Sequence, residues 1–229
     1  MPLDALLFDK DGTLFDFAAT WNGWTGDLIR FLCGDDTALT QTLADRLSYD
    51  LDSGEIRPDS MVIAASNELI AEAIAEVVPG WSADRVALHL AESAAEAPLA
   101  PAADLHKMIE ELTARGVVLG VMTNDAELSA RAQLSAAGVL EGFAFVAGFD
   151  SGYGAKPDPD PLLAFCKAVG VDPARAAMVG DSEHDLVAGR AAGMRTLAVL
   201  TGMAGAEELE PHADAVLPNV GHIPAWLAR

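Results

Sequence analysis

The stretch Ala5-Leu6-Leu7-Phe8-Asp9-Lys10-Asp11-Gly12-Thr13-Leu14 decides the architecture. A short apolar run passes directly into two carboxylates spaced i, i+2, with Gly and Thr immediately behind them. The run is too short for a helix and is closed by turn chemistry, so it reads as a strand. Residues two apart in extended chain point the same way, which is expected to put Asp9 and Asp11 in one small space at the strand end. Carboxylates that close raise one pKa or draw in a cation. Gly12 supplies the positive φ that a sharp turn and a close approach to a ligand demand.

Outward from this strand, residues from about Phe15 to Ala97 lack strand-like runs. Helical stretches are expected at Trp21–Leu32, Thr37–Tyr49, Asp59–Val77 and Ser82–Glu96, with breaks at Gly34-Asp35-Asp36, Ser53-Gly54 and Pro79-Gly80. From Pro98 the pattern changes. A helix over Ala103–Arg115 stops at Gly116 and leads into Val117–Thr123, a continuous apolar strand of the kind buried on both faces of a parallel sheet. Helices over Ala126–Ala137, Asp160–Val169 and Glu183–Ala192 then alternate with strands at Ala144–Phe149, Ala177–Gly180, Thr196–Leu200 and Ala215–Leu217. Such repetition implies an α/β sheet with right-handed crossovers. Residues 1–15 and 98–229 would form that core, and residues 16–97 a helical insert leaving it just behind the carboxylate pair, where a lid would be hinged.

The 229 residues are ample for a hydrophobic core. The formal charge of −21 argues against nucleic acid as a partner, because phosphate backbones need clustered Lys and Arg. No apolar stretch approaches the roughly 20 residues needed to span a bilayer, and Met1-Pro2-Leu3-Asp4 carries no basic leader region. Cys33 and Cys166, far apart, read as reduced thiols of a cytoplasmic protein. An anionic substrate would require the site to invert the local potential with a divalent cation, a lysine and helix N-termini.

Ligands of an open parallel sheet bind beyond the carboxyl ends of its strands. There the strands deliver Asp9 and Asp11, then Thr123-Asn124-Asp125, then the loop Gly152-Tyr153-Gly154-Ala155-Lys156-Pro157, then Gly180-Asp181-Ser182-Glu183-His184-Asp185. Carboxylates with hydroxyl partners suit a hard, oxygen-loving ion, with Mg²⁺ beside a phosphate the usual occupant. Read singly, Thr123 would cap the following helix, Lys156 would be a surface lysine and Asp185 would serve its helix N-terminus. Asp158, Asp160 and Glu183 read as solvated charges and His184 as an exposed helix residue.

Taken together, Asp9-Lys10-Asp11-Gly12-Thr13, Thr123-Asn124, Lys156-Pro157 and Gly180-Asp181-Ser182-Glu183-His184-Asp185 resemble the four motifs of the haloacid dehalogenase-like (HAD) hydrolase superfamily, in family order. The insert after the first motif resembles the cap of its phosphoglycolate phosphatase-like subgroup. The resemblance implies a Rossmann-like parallel sheet core with an inserted all-helical cap domain, and a Mg²⁺-dependent phosphatase acting on a small phosphorylated metabolite, phosphoglycolate foremost. It implies that Asp9 is the nucleophile that becomes an aspartyl-phosphate, and that Asp11 is the general acid and base. Thr123, Asn124, Lys156 and Lys10 would bind phosphate. The metal would take Asp9, the backbone carbonyl of Asp11, and Asp181, with Asp185 orienting a bound water.

Within the insert, Trp21 stands close enough in sequence to the first motif to touch substrate, and Arg57 is the basic group best suited to a substrate carboxylate. A phosphosugar mutase, a 2-haloacid dehalogenase and a non-catalytic binding protein remain as alternatives. Monomer and homodimer are both left open.

Overall fold

The computed structural model describes residues 3–63, 65 and 67–228. In chain order the first elements are β1 (Ala5–Phe8), α1 (Phe17–Cys33), α2 (Thr37–Arg46), β2 (Tyr49–Asp50), β3 (Glu55–Ile56), α3 (Asn67–Ala75) and α4 (Ala83–Ala95). Then follow α5 (Leu105–Thr113), β4 (Val118–Met122), α6 (Glu127–Ala136), β5 (Phe145–Ala147), α7 (Asp160–Val169), β6 (Ala176–Gly180), α8 (Glu183–Ala191) and β7 (Arg195–Val199). Short pieces α9 (Ala206–Leu209), β8 (Ala215–Leu217) and α10 (Ile223–Leu227) close the chain. Two compact units result, one of Met1–Phe17 with Leu99–Arg229 and the other of Ala18–Pro98.

The first unit is built on a six-stranded sheet in the order β5-β4-β1-β6-β7-β8, parallel throughout. This is the α/β core that the alternation of apolar runs and helices implies. Alternate residues of each central strand feed the two faces. Leu6, Phe8, Leu119, Val121, Ala177 and Val179 pack on one side, while Ala5, Leu7, Met122, Ala176 and Met178 pack on the other against Leu162 and Phe165 of α7. Gly120 permits that second contact, since a Cβ there would lie 2.6 Å from the Phe165 ring. α7 ends where expected, at Gly170 with φ +69.

Register positions the strand ends. Phe8 lies level with Val121 of β4 and with Val179 of β6. The N–H of Asp9 extends the ladder to Val179 O at 2.8 Å, and that of Thr123 extends it to Ala147 O at 3.1 Å. Asp9, Thr123 and Asp181 therefore emerge side by side from adjacent strands.

The second unit departs from the all-helical expectation. Tyr49–Asp50 and Glu55–Ile56 form a small antiparallel hairpin. Strands of two residues leave no periodicity to read. What builds them is local and side-chain driven: Asp50 Oδ1 accepts from the N–H groups of Asp52 and Ser53, at 2.9 and 3.0 Å, and Gly54 takes φ +74. Asn22 of α1 holds both strands. Its Oδ1 accepts from Ile56 N at 3.0 Å, and its backbone carbonyl accepts from the Tyr49 hydroxyl at 3.1 Å. The helix expected over Asp59–Val77 is a 3₁₀ turn at Met61–Ile63 followed by α3, with Ala64 and Ser66 outside the described residues. α2 stops at Arg46, short of Tyr49, because Ser48 turns at φ +50.

Candidate active site

At the carboxyl end of β1 the chain doubles back at once. The carbonyl of Lys10 accepts from the N–H groups of Leu14 and Phe15 at 2.9 and 3.1 Å, and Gly12 sits at φ +80. The Thr201 hydroxyl donates to Gly12 O at 2.7 Å, fastening this loop to the segment behind β7. The loop holds Asp9 almost wholly buried beside Asp181 and Asp185. One carboxylate oxygen from each of the three lies within 4.8 Å of the others.

Lys156 enters the same cluster from the loop behind β5. Its ammonium donates to Asp9 Oδ1 at 2.5 Å and to Asp185 Oδ1 at 2.6 Å. Asn124 sets its position, because Nδ2 donates to Lys156 O at 2.9 Å while Oδ1 accepts from Lys156 N at 3.0 Å. Both amide groups of Asn124 are thus directed at the Lys156 backbone. Asp185 likewise has two commitments. Its second oxygen accepts from Ser182 N and Oγ at 3.1 and 2.6 Å, capping α8 while the first holds the lysine. The helix-capping reading of this residue is realised, and its other oxygen lies in the buried carboxylate cluster.

Electrostatics follow from burial. Desolvation pushes the Asp9 carboxyl up to about 7; Lys156 opposes the rise and Asp185 adds to it. Asp181 rises well above the ordinary carboxylate value, first through burial, then through the charges of Asp9 and Asp185. Burial works against the charge of Lys156, yet Asp185 and Asp9 outweigh it and its pKa is raised. Three buried carboxylates thus face one ammonium, an excess of negative charge that a divalent cation would neutralise. Asp181, which accepts from the Thr13 hydroxyl at 3.1 Å, is cradled by glycines. A Cβ on Gly12 would lie 2.3 Å from its Oδ2. The oxygen-only donor set, buried and over-charged, fits a hard divalent ion such as Mg²⁺.

The expectation that Lys10 meets a phosphate gives way to a different placement. Its side chain is 0% exposed, with Nζ at 2.6 Å from Asp11 Oδ2, at 3.3 Å from Asp125 Oδ2 and hydrogen-bonded to Gln133 Oε1. Strand alternation explains it, since Lys10 points opposite to its neighbour Asp9. Thr123 is buried, and its Oγ1 accepts from Asp125 N at 3.1 Å, a turn ahead of α6 and not a cap upon it. In the second unit Trp21 packs edge-on against Trp24, centroids 5.2 Å apart, and half-exposed Arg57 pairs with Asp50 at 3.5 Å. His184 and Glu183 are exposed. The motifs quoted from the sequence include Thr13 and Ser182 without giving them a role, and they leave out Gln133, Thr201 and Gly202; Thr13, Gln133 and Thr201 act through partners distant in the chain, Ser182 through Asp185 three residues on, and Gly202 through the absence of a side chain.

Comparison with known proteins bears on this arrangement. The chain is 32% identical over 234 residues to a phosphoglycolate phosphatase of Rhodospirillum rubrum, covering 97% of this chain and 90% of that protein. It is 29% identical over 230 residues to an N-acetylmuramic acid 6-phosphate phosphatase of Pseudomonas aeruginosa, covering 96% and 92%. Its fold matches the crystal structure of a predicted phosphoglycolate phosphatase from Haemophilus somnus with a TM-score of 0.72 at 18% identity, over 99% of this chain and 98% of that one. A family model described as haloacid dehalogenase-like hydrolase matches residues 3–193, so the chain belongs to the haloacid dehalogenase-like hydrolase family.

Proposed function

We propose that this protein is a Mg²⁺-dependent phosphomonoester hydrolase that works through a phosphorylated Asp9 and acts on a small metabolite, with 2-phosphoglycolate the first candidate. One observation carries the reading: three buried carboxylates, Asp9, Asp181 and Asp185, cluster at the end of the central strand around an ammonium, that of Lys156, that pairs with only two of them, Asp9 and Asp185. A protein gains little stability from that arrangement, because burying unbalanced charge is costly. It suits a site whose missing positive charge arrives with the ligand. The two phosphatase names among the relatives agree with it.

Asp9 attacks phosphorus, and the bond from phosphorus to the leaving oxygen breaks. Asp11 gives its proton to that oxygen and then takes one from the water that cleaves the acyl phosphate, releasing orthophosphate and restoring Asp9. Lys156 and Thr123 bind the phosphoryl oxygens, with Lys156 also balancing charge as it spreads over them. Asn124 keeps Lys156 in place. Asp9 and Asp181, with the Asp11 carbonyl, would hold Mg²⁺, which supplies charge neutralisation at the phosphoryl group. The Ala18–Pro98 unit would act as a cap that excludes water and selects the substrate, with Trp21 and Arg57 as candidate contacts. Buried, unpaired Cys33 and Cys166 suit a cytoplasmic setting.

The test is phosphate release from a panel containing 2-phosphoglycolate, N-acetylmuramic acid 6-phosphate, hexose phosphates and p-nitrophenyl phosphate, with Mg²⁺ and with EDTA. Release that needs Mg²⁺ and disappears in Asp9→Asn is expected. Undiminished release by Asp9→Asn, or in EDTA, would overturn the reading.

A further inference from the structure

We infer that Lys10 is a positioning residue for Asp11, clamping that carboxylate against a fixed mount made by Asp125 and Gln133; this rests on the phosphatase reading above and deepens it at the leaving group's proton. The juxtaposition is specific. A fully buried ammonium has three hydrogens to place. Around it stand Asp11 Oδ2 at 2.6 Å, Asp125 Oδ2 at 3.3 Å and the Gln133 amide oxygen.

The two sides of this clamp differ in how firmly they are built. Asp125 is held by its own surroundings: Oδ1 accepts from Ala126 N at 2.7 Å, and Oδ2 accepts from Ser129 Oγ at 2.7 Å. Ser129 and Gln133 follow at i+4 and i+8 on the same face of α6, and Gln133 is buried. Asp11 instead belongs to the tight loop behind β1 and retains 20% side-chain exposure. The ammonium therefore ties a partly exposed carboxylate on one segment to a buried mount on another.

Stability alone does not account for it. A buried lysine with two carboxylates contributes less than an apolar residue of similar size would, while loss of one partner is damaging. What the clamp does supply is a defined place for the Asp11 carboxylate. A proton donor contributes only when held within hydrogen-bond reach of the leaving oxygen. Without Lys10 the Asp11 carboxylate loses its tie to Asp125 and Gln133. The attack by Asp9 is left intact, and the proton delivery suffers.

Two substrates of similar size separate these steps. Phenyl phosphate releases a basic phenolate that needs the proton, whereas p-nitrophenyl phosphate releases one that leaves largely unaided. Lys10→Met is expected to lower kcat on phenyl phosphate by about 30-fold and on p-nitrophenyl phosphate by no more than about threefold, with KM little changed on either. In an Asp11→Asn background the same substitution should change the ratio of the two rates no further.

Asp125→Asn keeps the Lys10–Asp11 pair and loosens only its mount, so it decides the matter if Lys10→Met does not fold; a milder loss, again confined to phenyl phosphate, is expected. Equal losses on both substrates, or none on either, overturn the inference while the phosphatase reading stands. A native enzyme that releases phosphate from none of the panel compounds, these two esters included, overturns the two together.

Discussion

Gly202 faces Asp181 so closely that a Cβ built on it would lie 1.7 Å from the Oδ2 oxygen. A methyl group at this position cannot coexist with the observed carboxylate, and Gly12 closes the other side. Gly202→Ala should therefore turn Asp181 away from Asp9. Overpacking of this kind costs about 1–3 kcal/mol of stability. The Mg²⁺ concentration giving half-maximal activity should rise by about tenfold or more, since a proposed metal ligand is displaced. A metal titration of phosphate release checks this; an unchanged midpoint in a folded variant would contradict the assignment of Asp181.

Lys156→Met removes the one ammonium between Asp9 and Asp185. Breaking a buried pair by deleting one partner costs about 3–5 kcal/mol. Activity should fall at least about 100-fold, because the charge on the transferring group loses a fixed counterpart. Lys156→Arg should not restore it, as a planar fork cannot replace a point charge bound at 2.5 and 2.6 Å to two oxygens. Denaturant midpoints and initial rates for the two variants provide the comparison.

The pH dependence of stability follows from Asp9 and Asp181. Burial raises Asp9 from 3.8 to about 7, so across that window the native state binds more protons than the unfolded chain. Stability then falls as pH rises, the reverse of the usual carboxylate contribution. Lys156, also raised, keeps its charge throughout the window. Asp50 and Glu127 are lowered and act below it. In EDTA the melting temperature should drop between pH 5 and pH 8, and Asp9→Asn should flatten the slope. Mg²⁺ should raise the melting temperature more at pH 8 than at pH 5, where protons compete for the same oxygens. A melting temperature that climbs with pH in EDTA would remove the case for a desolvated Asp9.

Asn124→Ala deletes both hydrogen bonds to the Lys156 backbone. Two such bonds contribute about 1–3 kcal/mol together, and the loop they hold also carries the lysine. A fall of about tenfold in kcat/KM is expected from the misplaced ammonium. Asn124→Asp should be worse than its size implies, since the retained acceptor loses the donor that meets Lys156 O. Steady-state rates with thermal melts separate the positional effect from simple unfolding.

Much of the core was readable before any coordinates. Val118–Met122 and Ala176–Gly180 announce themselves as unbroken apolar runs, and α7 is bracketed by Asp160-Pro161 at its start and Gly170 at its end. The Tyr49–Ile56 hairpin was not readable, because its stability lies in Asn22 and the Asp50 turn and not in strand propensity. Lys10 misled for a related reason. Its neighbours in sequence are the proposed catalytic pair, but its own ammonium joins Asp11 to Gln133, 123 residues away from Lys10.

The sequence by itself determined which residues end each strand, because alternation and turn chemistry are local properties of the chain. It therefore carried the parallel core and the arrival of Asp9, Thr123 and Asp181 at one edge. Only the tertiary structure decided how the charges are shared: Lys156 between Asp9 and Asp185, Lys10 between Asp11 and Asp125, and Asp181 beside two glycines. The pairings of Lys156 with Asp9, of Lys10 with Asp125 and of Asp181 with Gly12 each join segments more than a hundred residues apart through strand order and close packing, and no local pattern encodes a distance between side chains that meet only once the sheet has formed.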